Sequence, residues 1–176
     1  MVRHPQFVKE DEHAHEPLTK AFHDTLKDIY YAEKKILTAL PKMAEATTND
    51  ELRAAFEKHE AETQTHVERL EEVFALIEEK PEAKKCDAIE GITKEGEGII
   101  KEYKGTPALN AGLLAAAQAV EHYEISRYGT LRTWAEELGL DDAVTLLETT
   151  LDEEKAADEA LTELAESAVN QEAEAA

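Results

Sequence analysis

Residues 112–138, GLLAAAQAVEHYEISRYGTLRTWAEEL, constrain the fold of this chain more than any other stretch. Read as a helix, they place Leu114, Ala117, Glu121, Glu124, Tyr128, Leu131, Ala135 and Leu138 at alternating spacings of three and four. That is the seam of a helix packed against other helices. Two carboxylates stand inside the seam. A buried ionised carboxylate costs on the order of several kcal/mol unless something cationic meets it. No Lys or Arg shares the stripe, so the acids are protonated, or a partner helix supplies a cation, or a metal does.

Three further segments repeat the pattern. After Pro17, suited to a first helical turn, the stripe is Leu18, Phe22, Leu26, Ile29, Glu33, Ile36, Leu40 and Met43. Pro41 removes a backbone donor and predicts a kink near Leu37. Thr48–Glu51 is a capping stretch for a second helix with Leu52, Phe56, His59, Thr63, His66, Leu70, Val73 and Ile77 in its seam and Glu62 on its flank. Lys80-Pro81 is its expected stop. Thr106 and Asp141 are the expected N-caps of the third and fourth long helices, with Gly139 ending the third. The fourth carries Leu147, Leu151, Glu154, Asp158, Leu161 and Ala165. Residues 82–104, rich in isoleucine and glycine, read as a shorter crossover helix holding Cys86. No stretch has strand periodicity.

Ala32-Glu33 to Met43-Ala44 aligns with Tyr123-Glu124 to Trp134-Ala135, a faint internal duplication. Two helical hairpins joined by a long crossover make an all-α four-helix bundle with a short fifth helix. The expected organisation is a flexible arm over 1–16, the bundle over 17–169 and a frayed tail over 170–176.

Every long helix thus puts acids or histidines where its core should be apolar, at similar depths. Carboxylates and imidazoles gathered in mid-bundle would suit two divalent metals, iron or manganese, with zinc also compatible. The expected ligands are Glu33, His59, Glu62, His66, Glu121, Glu124, Glu154 and Asp158. The carboxyl groups of Glu33, Glu62, Glu124 and Glu154 should converge within about 8 Å, as a bridged pair requires. Tyr30, Tyr31, Tyr123 and Tyr128 lie at the same levels, as hydrogen-bond partners of the ligands, as electron carriers or, more commonly, as ordinary packing.

A net charge of −21 disfavours nucleic acid and anionic membranes as partners. It fits either a high-salt habitat or a well-solvated surface. One cysteine excludes an intrachain disulfide and suits a reducing compartment, so a cytoplasmic protein is expected. Neither a signal-peptide core nor a bilayer-length apolar run is present.

The blocks YAEKK (31–35), ALPKMAEAT (39–47), HEAETQTHVERL (59–70), AAAQAVEHYEISRYGTL (115–131) and ETTLDEEK (148–155) resemble the ferritin-like family of bacterial YciE and YciF proteins. The resemblance covers about residues 18–169. It implies a ferritin-like bundle, a homodimer and a link to stress responses. The wider superfamily places one Glu on the first and third helices and Glu-x-x-His on the second and fourth, which carries over to Glu33, Glu62, Glu124 and Glu154, with Glu121 as an extra carboxylate. This chain departs from that plan. It has Glu62-x-x-x-His66, preceded by His59-x-x-Glu62, and Glu154-x-x-x-Asp158 with Ala157 where a His is expected. Three functions follow as expectations: peroxide or dioxygen chemistry at a dimetal centre, metal buffering without turnover, or a structural bundle with a vestigial polar core.

Overall fold

The computed structural model describes residues 16–175. Five main helices follow one another: α1 (Glu16–Ala46), α2 (Asp50–Leu76), α3 (Asp87–Glu102), α4 (Ala108–Glu137) and α5 (Asp141–Leu164). The short connections 47–49 and 138–140 make α1–α2 and α4–α5 antiparallel hairpins. The hairpins pack through α1 on α4 and α2 on α5, while α3 crosses over and lies against α1 and α4. This is the expected four-helix bundle with a fifth helix on the crossover. No strand occurs among the described residues, and no described helix is long and apolar enough to cross a membrane.

The apolar seams form the core. Phe22, Leu26, Ile29, Leu52, Phe56, Leu70, Leu113, Tyr128, Leu131 and Leu147 are all essentially removed from solvent. Where α3 meets α4, a Cβ on Gly112 would lie 2.7 Å from Ile99 Cγ2, so a larger residue there would force Ile99 to move.

Asn49 caps α2 as expected, accepting from Leu52 N–H at 2.9 Å. Gly139 ends α4 as expected, at φ 69°, with Gly139 N–H on Glu136 O and Leu140 N–H on Ala135 O, a Schellman closure.

Other ends differ from the sequence reading. The same closure ends α2 before Lys80-Pro81, with Glu78 in the left-handed position at φ 57° and Glu79 N–H on Phe74 O. Thr106 does not cap α4; its hydroxyl turns back to Tyr103 O, and the helix starts at Ala108. Asp141 is the first residue of α5 rather than its cap, a position where its charge still favours the helix dipole. Helix α1 runs unbroken through Pro41. The expected arm lies outside the described residues except Glu16, which opens α1. A π-helical turn, Ala165–Val169, buries Val169, and a last helical turn, α6, spans Asn170–Glu174 against α4.

Candidate metal centre

Each long helix delivers polar side chains to one level of the core. Helix α1 contributes Glu33, and α5 contributes Glu154. Helix α4 contributes Glu121 and Glu124, three residues apart and so on one face. Helix α2 contributes His59 and His66, two turns apart along the same seam. All six are buried, none more than 5% exposed. The imidazoles lean together, with ring centroids 6.4 Å apart.

The six side chains divide into two groups. His59, Glu121, Glu124 and Glu154 form one; Glu33, His66 and Glu154 form the other. Within each group one donor atom per residue lies within 4.8 Å of all the others. Ligands on opposite sides of a cation at about 2.1 Å stand about 4.2 Å apart, so each group is near the size of a first coordination sphere. Glu154 is common to both: its Oε2 lies 4.0 Å from His59 Nε2 and its Oε1 2.9 Å from His66 Nδ1. His59 Nδ1 is 3.3 Å from Glu121 and its Nε2 3.9 Å from Glu124. His66 Nδ1 is also 3.6 Å from Glu33.

The donor atoms are buried without hydrogen-bond partners. Both nitrogens of His59, both oxygens of Glu124, Oε2 of Glu154 and one oxygen each of Glu33 and Glu121 are unsatisfied, while His66 Nδ1 and Glu154 Oε1 meet as an ion pair at 2.9 Å without hydrogen-bond geometry. Buried polar atoms are nearly always paired, and a cluster of orphans calls for an explanation. Two divalent cations supply one. Their charge would balance the four carboxylates Glu33, Glu121, Glu124 and Glu154, and their coordination would occupy the orphaned atoms. The residues fit the metal pair that the family resemblance implies.

Without cations, protons do part of this work. Burial, and then the charge of Glu154, push the carboxyl of Glu33 up to about 7. The same two causes push Glu121 up to about 11 and Glu124 well above the carboxylate range. Burial alone would keep His66 neutral, but Glu154, Glu33 and Glu153 face its ring and raise it to about 9. Burial lowers His59, holding it neutral. The cluster is therefore a store of protons that cations would displace.

Two expected ligands stand outside these groups. Glu62 sits on the flank of α2, 28% exposed and paired with Lys58 at 2.9 Å. Asp158 lies a turn beyond Glu154 and faces α4, accepting from Gln118 at 3.2 Å and pairing with the exposed His122 at 3.1 Å. Of the four carboxylates expected to converge, Glu33, Glu124 and Glu154 belong to these groups and Glu62 to neither.

Sequence reasoning missed Glu153 and Arg69. His66 Nε2 lies 2.9 Å from Glu153 Oε2, and Arg69 grips both oxygens of Glu153. This carboxylate fixes the ring so that Nδ1 faces Glu33 and Glu154, the arrangement that tunes a metal-binding histidine. Glu153→Gln should weaken metal affinity by about 10- to 100-fold while the helical fold persists; isothermal titration and circular dichroism check the two halves. The only sequence signal was Arg69, three residues after His66 and therefore on its face.

The tyrosines have separate duties. Tyr128, fully buried, donates to Glu33. Tyr123 donates to Asp28 at 2.6 Å and meets the thiol of Cys86 at 3.0 Å. Cys86 itself is buried and caps α3, and it joins neither group. Tyr30 and Tyr31 bond Glu71 and Glu90.

Comparison with known proteins places this chain among relatives. The family described as "Domain of unknown function (DUF892)" matches residues 17–174. The chain is 46% identical over 150 residues to the protein YciF of Escherichia coli, covering 85% of this chain and 90% of that protein. The crystal structure of the E. coli stress protein YciF superposes with a TM-score of 0.83 at 44% identity, covering 87% of this chain and 97% of that one. The Rhodopseudomonas palustris protein YcfI, described as a candidate structural protein, gives 0.81 at 46% identity, covering 89% and 98%.

Proposed function

The chain belongs to the DUF892 family of YciF-like proteins, and we propose that it is a ferritin-like dimetal–carboxylate protein of oxidative or general stress, reactive toward peroxide or dioxygen. One observation carries the reading: four buried carboxylates and two buried imidazoles, nearly all with orphaned donor atoms, divide into two groups that share Glu154. Iron or manganese suits one imidazole and two or three carboxylates per ion. When bound, such a pair supplies electrons to a small oxidant. The protein's own part is to hold and to exclude. Glu154 is common to both groups; with it, His59, Glu121 and Glu124 would hold one cation, and Glu33 and His66 would hold the other. Arg69 and Glu153 keep His66 from rotating, and the Tyr128 hydroxyl steadies Glu33. The surrounding leucines, isoleucines and phenylalanines keep bulk water out. Stress biology comes to this chain from the E. coli relative.

Metal buffering without turnover is the second reading. The carboxylate-rich donor set, with Ala157 where the superfamily resemblance expects a histidine, favours it. One assay separates the two. Protein loaded with Fe(II) or Mn(II) should consume hydrogen peroxide catalytically, and Glu154→Gln, treated alike, should not. Metal binding without peroxide or dioxygen consumption would leave only buffering.

A further inference from the structure

A cavity of about 50 Å³ lies between α2, α4 and α5. Its lining includes the buried His59 and Glu121 and the more exposed Glu62 and Lys58. It exists because small side chains stand where the three helices would otherwise close: Ala55 on α2, Ala117 on α4, Ala157 and Ala160 on α5. Glu62 is 28% exposed and Lys58 67% exposed, so this pair meets solvent, whereas His59 and Glu121 are nearly sealed. Both His59 nitrogens and Glu121 Oε2 lack hydrogen-bond partners, and their residues line this cavity. A cavity needs only about 10–15 Å³ to admit one water.

We propose that this cavity is the path by which a divalent cation reaches the metal centre, with Glu62 as its receiving carboxylate. The inference rests on the dimetal reading above. Glu62 offers the cation an anionic oxygen in contact with solvent. Its present partner is the Lys58 ammonium at 2.9 Å, an exchangeable surface ion pair that a divalent cation can displace. From Glu62 the next donors along the cavity wall are His59 and Glu121, which belong to the first metal group. Glu62 is three residues from His59 and so lies beside it on α2. This accounts for a carboxylate that the spacing predicted as a ligand and the fold leaves at the rim. Lys58 competes for the same carboxylate and lowers the affinity of this outer position, so the cation passes inward rather than staying.

The test is the rate of Mn(II) or Fe(II) uptake by chelator-treated full-length protein, followed by stopped-flow, together with the final number of ions bound. Glu62→Gln should slow uptake at least about tenfold, the low end of what a charge-focusing cleft gives. Ala157→Leu, which fills the cavity and leaves every carboxylate in place, should slow it similarly. Final occupancy at saturation should match wild type in both, and unchanged melting of the metal-free variants verifies folding. Lys58→Gln should speed uptake. Unchanged rates in both Glu62→Gln and Ala157→Leu would overturn the path. Loss of one bound ion in Glu62→Gln would instead make Glu62 a permanent ligand, also overturning it. Absence of metal binding in wild type would defeat the dimetal reading itself, an outcome distinct from either.

Discussion

Fe(II) or Mn(II) should raise the melting temperature of the chelator-treated protein, and Glu154→Gln should abolish the rise. A ligand that binds only the folded state stabilises by RT ln(1 + [L]/Kd), about 2.7 kcal/mol at a hundredfold excess over Kd. For a chain of this size that is roughly 5–10 °C per site. Glu154 is the residue to change because both groups use it. Glu121→Gln and Glu124→Gln touch the group around His59 and should leave part of the gain. In the metal-free protein Glu154→Gln relieves the crowding of four carboxylates but takes from His66 its 2.9 Å partner, so it should destabilise more than Glu121→Gln or Glu124→Gln. A vestigial polar core predicts the reverse: no response to any divalent metal, and destabilisation from each substitution alike.

The second large effect is on pH dependence. Glu33, Glu121 and His66 all have folded values above their ordinary ones, so the folded chain binds more protons than the unfolded chain around each. The stability they contribute is fully present below the unfolded values, 4.5 for the glutamates and 6.5 for the histidine. It is lost as pH rises through about 7 for Glu33, about 9 for His66 and about 11 for Glu121. His59, lowered by burial, acts in the opposite sense and weakens the fold only as pH falls below 6.5. These three groups should therefore make the metal-free protein lose stability as pH rises from about 4.5, with Glu33's share gone by about 7, His66's by about 9 and Glu121's by about 11. Metal should reverse the trend, because cations require the deprotonated ligands and their binding releases protons. Melting curves at several pH values, with chelator and with Mn(II), provide both slopes. A metal-free protein whose stability rises between pH 7 and about 9 would contradict the assigned protonation.

Much of the bundle was legible in the sequence. Three-and-four spacing located every long helix, and the duplication around Glu33 and Glu124 located the two hairpins. The polar seam positions marked the centre, since a carboxylate such as Glu124 has no other reason to occupy a core stripe. Glu62 was less legible. On a helix with roughly 100° per residue it stands only about 60° from His59 and 40° from His66, which falls within the width of an ordinary buried face. Periodicity does not separate the middle of such a stripe from its edge. Glu153 was hidden for a different reason. It lies off the α5 seam and reaches His66 only because α5 packs against α2, a contact between helices and not a spacing within one. The helix ends depended on closures such as Glu78 at positive φ, where the backbone chose a residue that the sequence pattern does not favour.

The central claim is that two cations share Glu154 inside this bundle. Equilibrium dialysis of chelator-treated protein against Mn(II), followed by elemental analysis, tests it most directly. The account predicts two ions per chain in wild type and loss of both in Glu154→Gln, with helicity unchanged. No bound metal in wild type, or an equal number bound by wild type and Glu154→Gln, would contradict it.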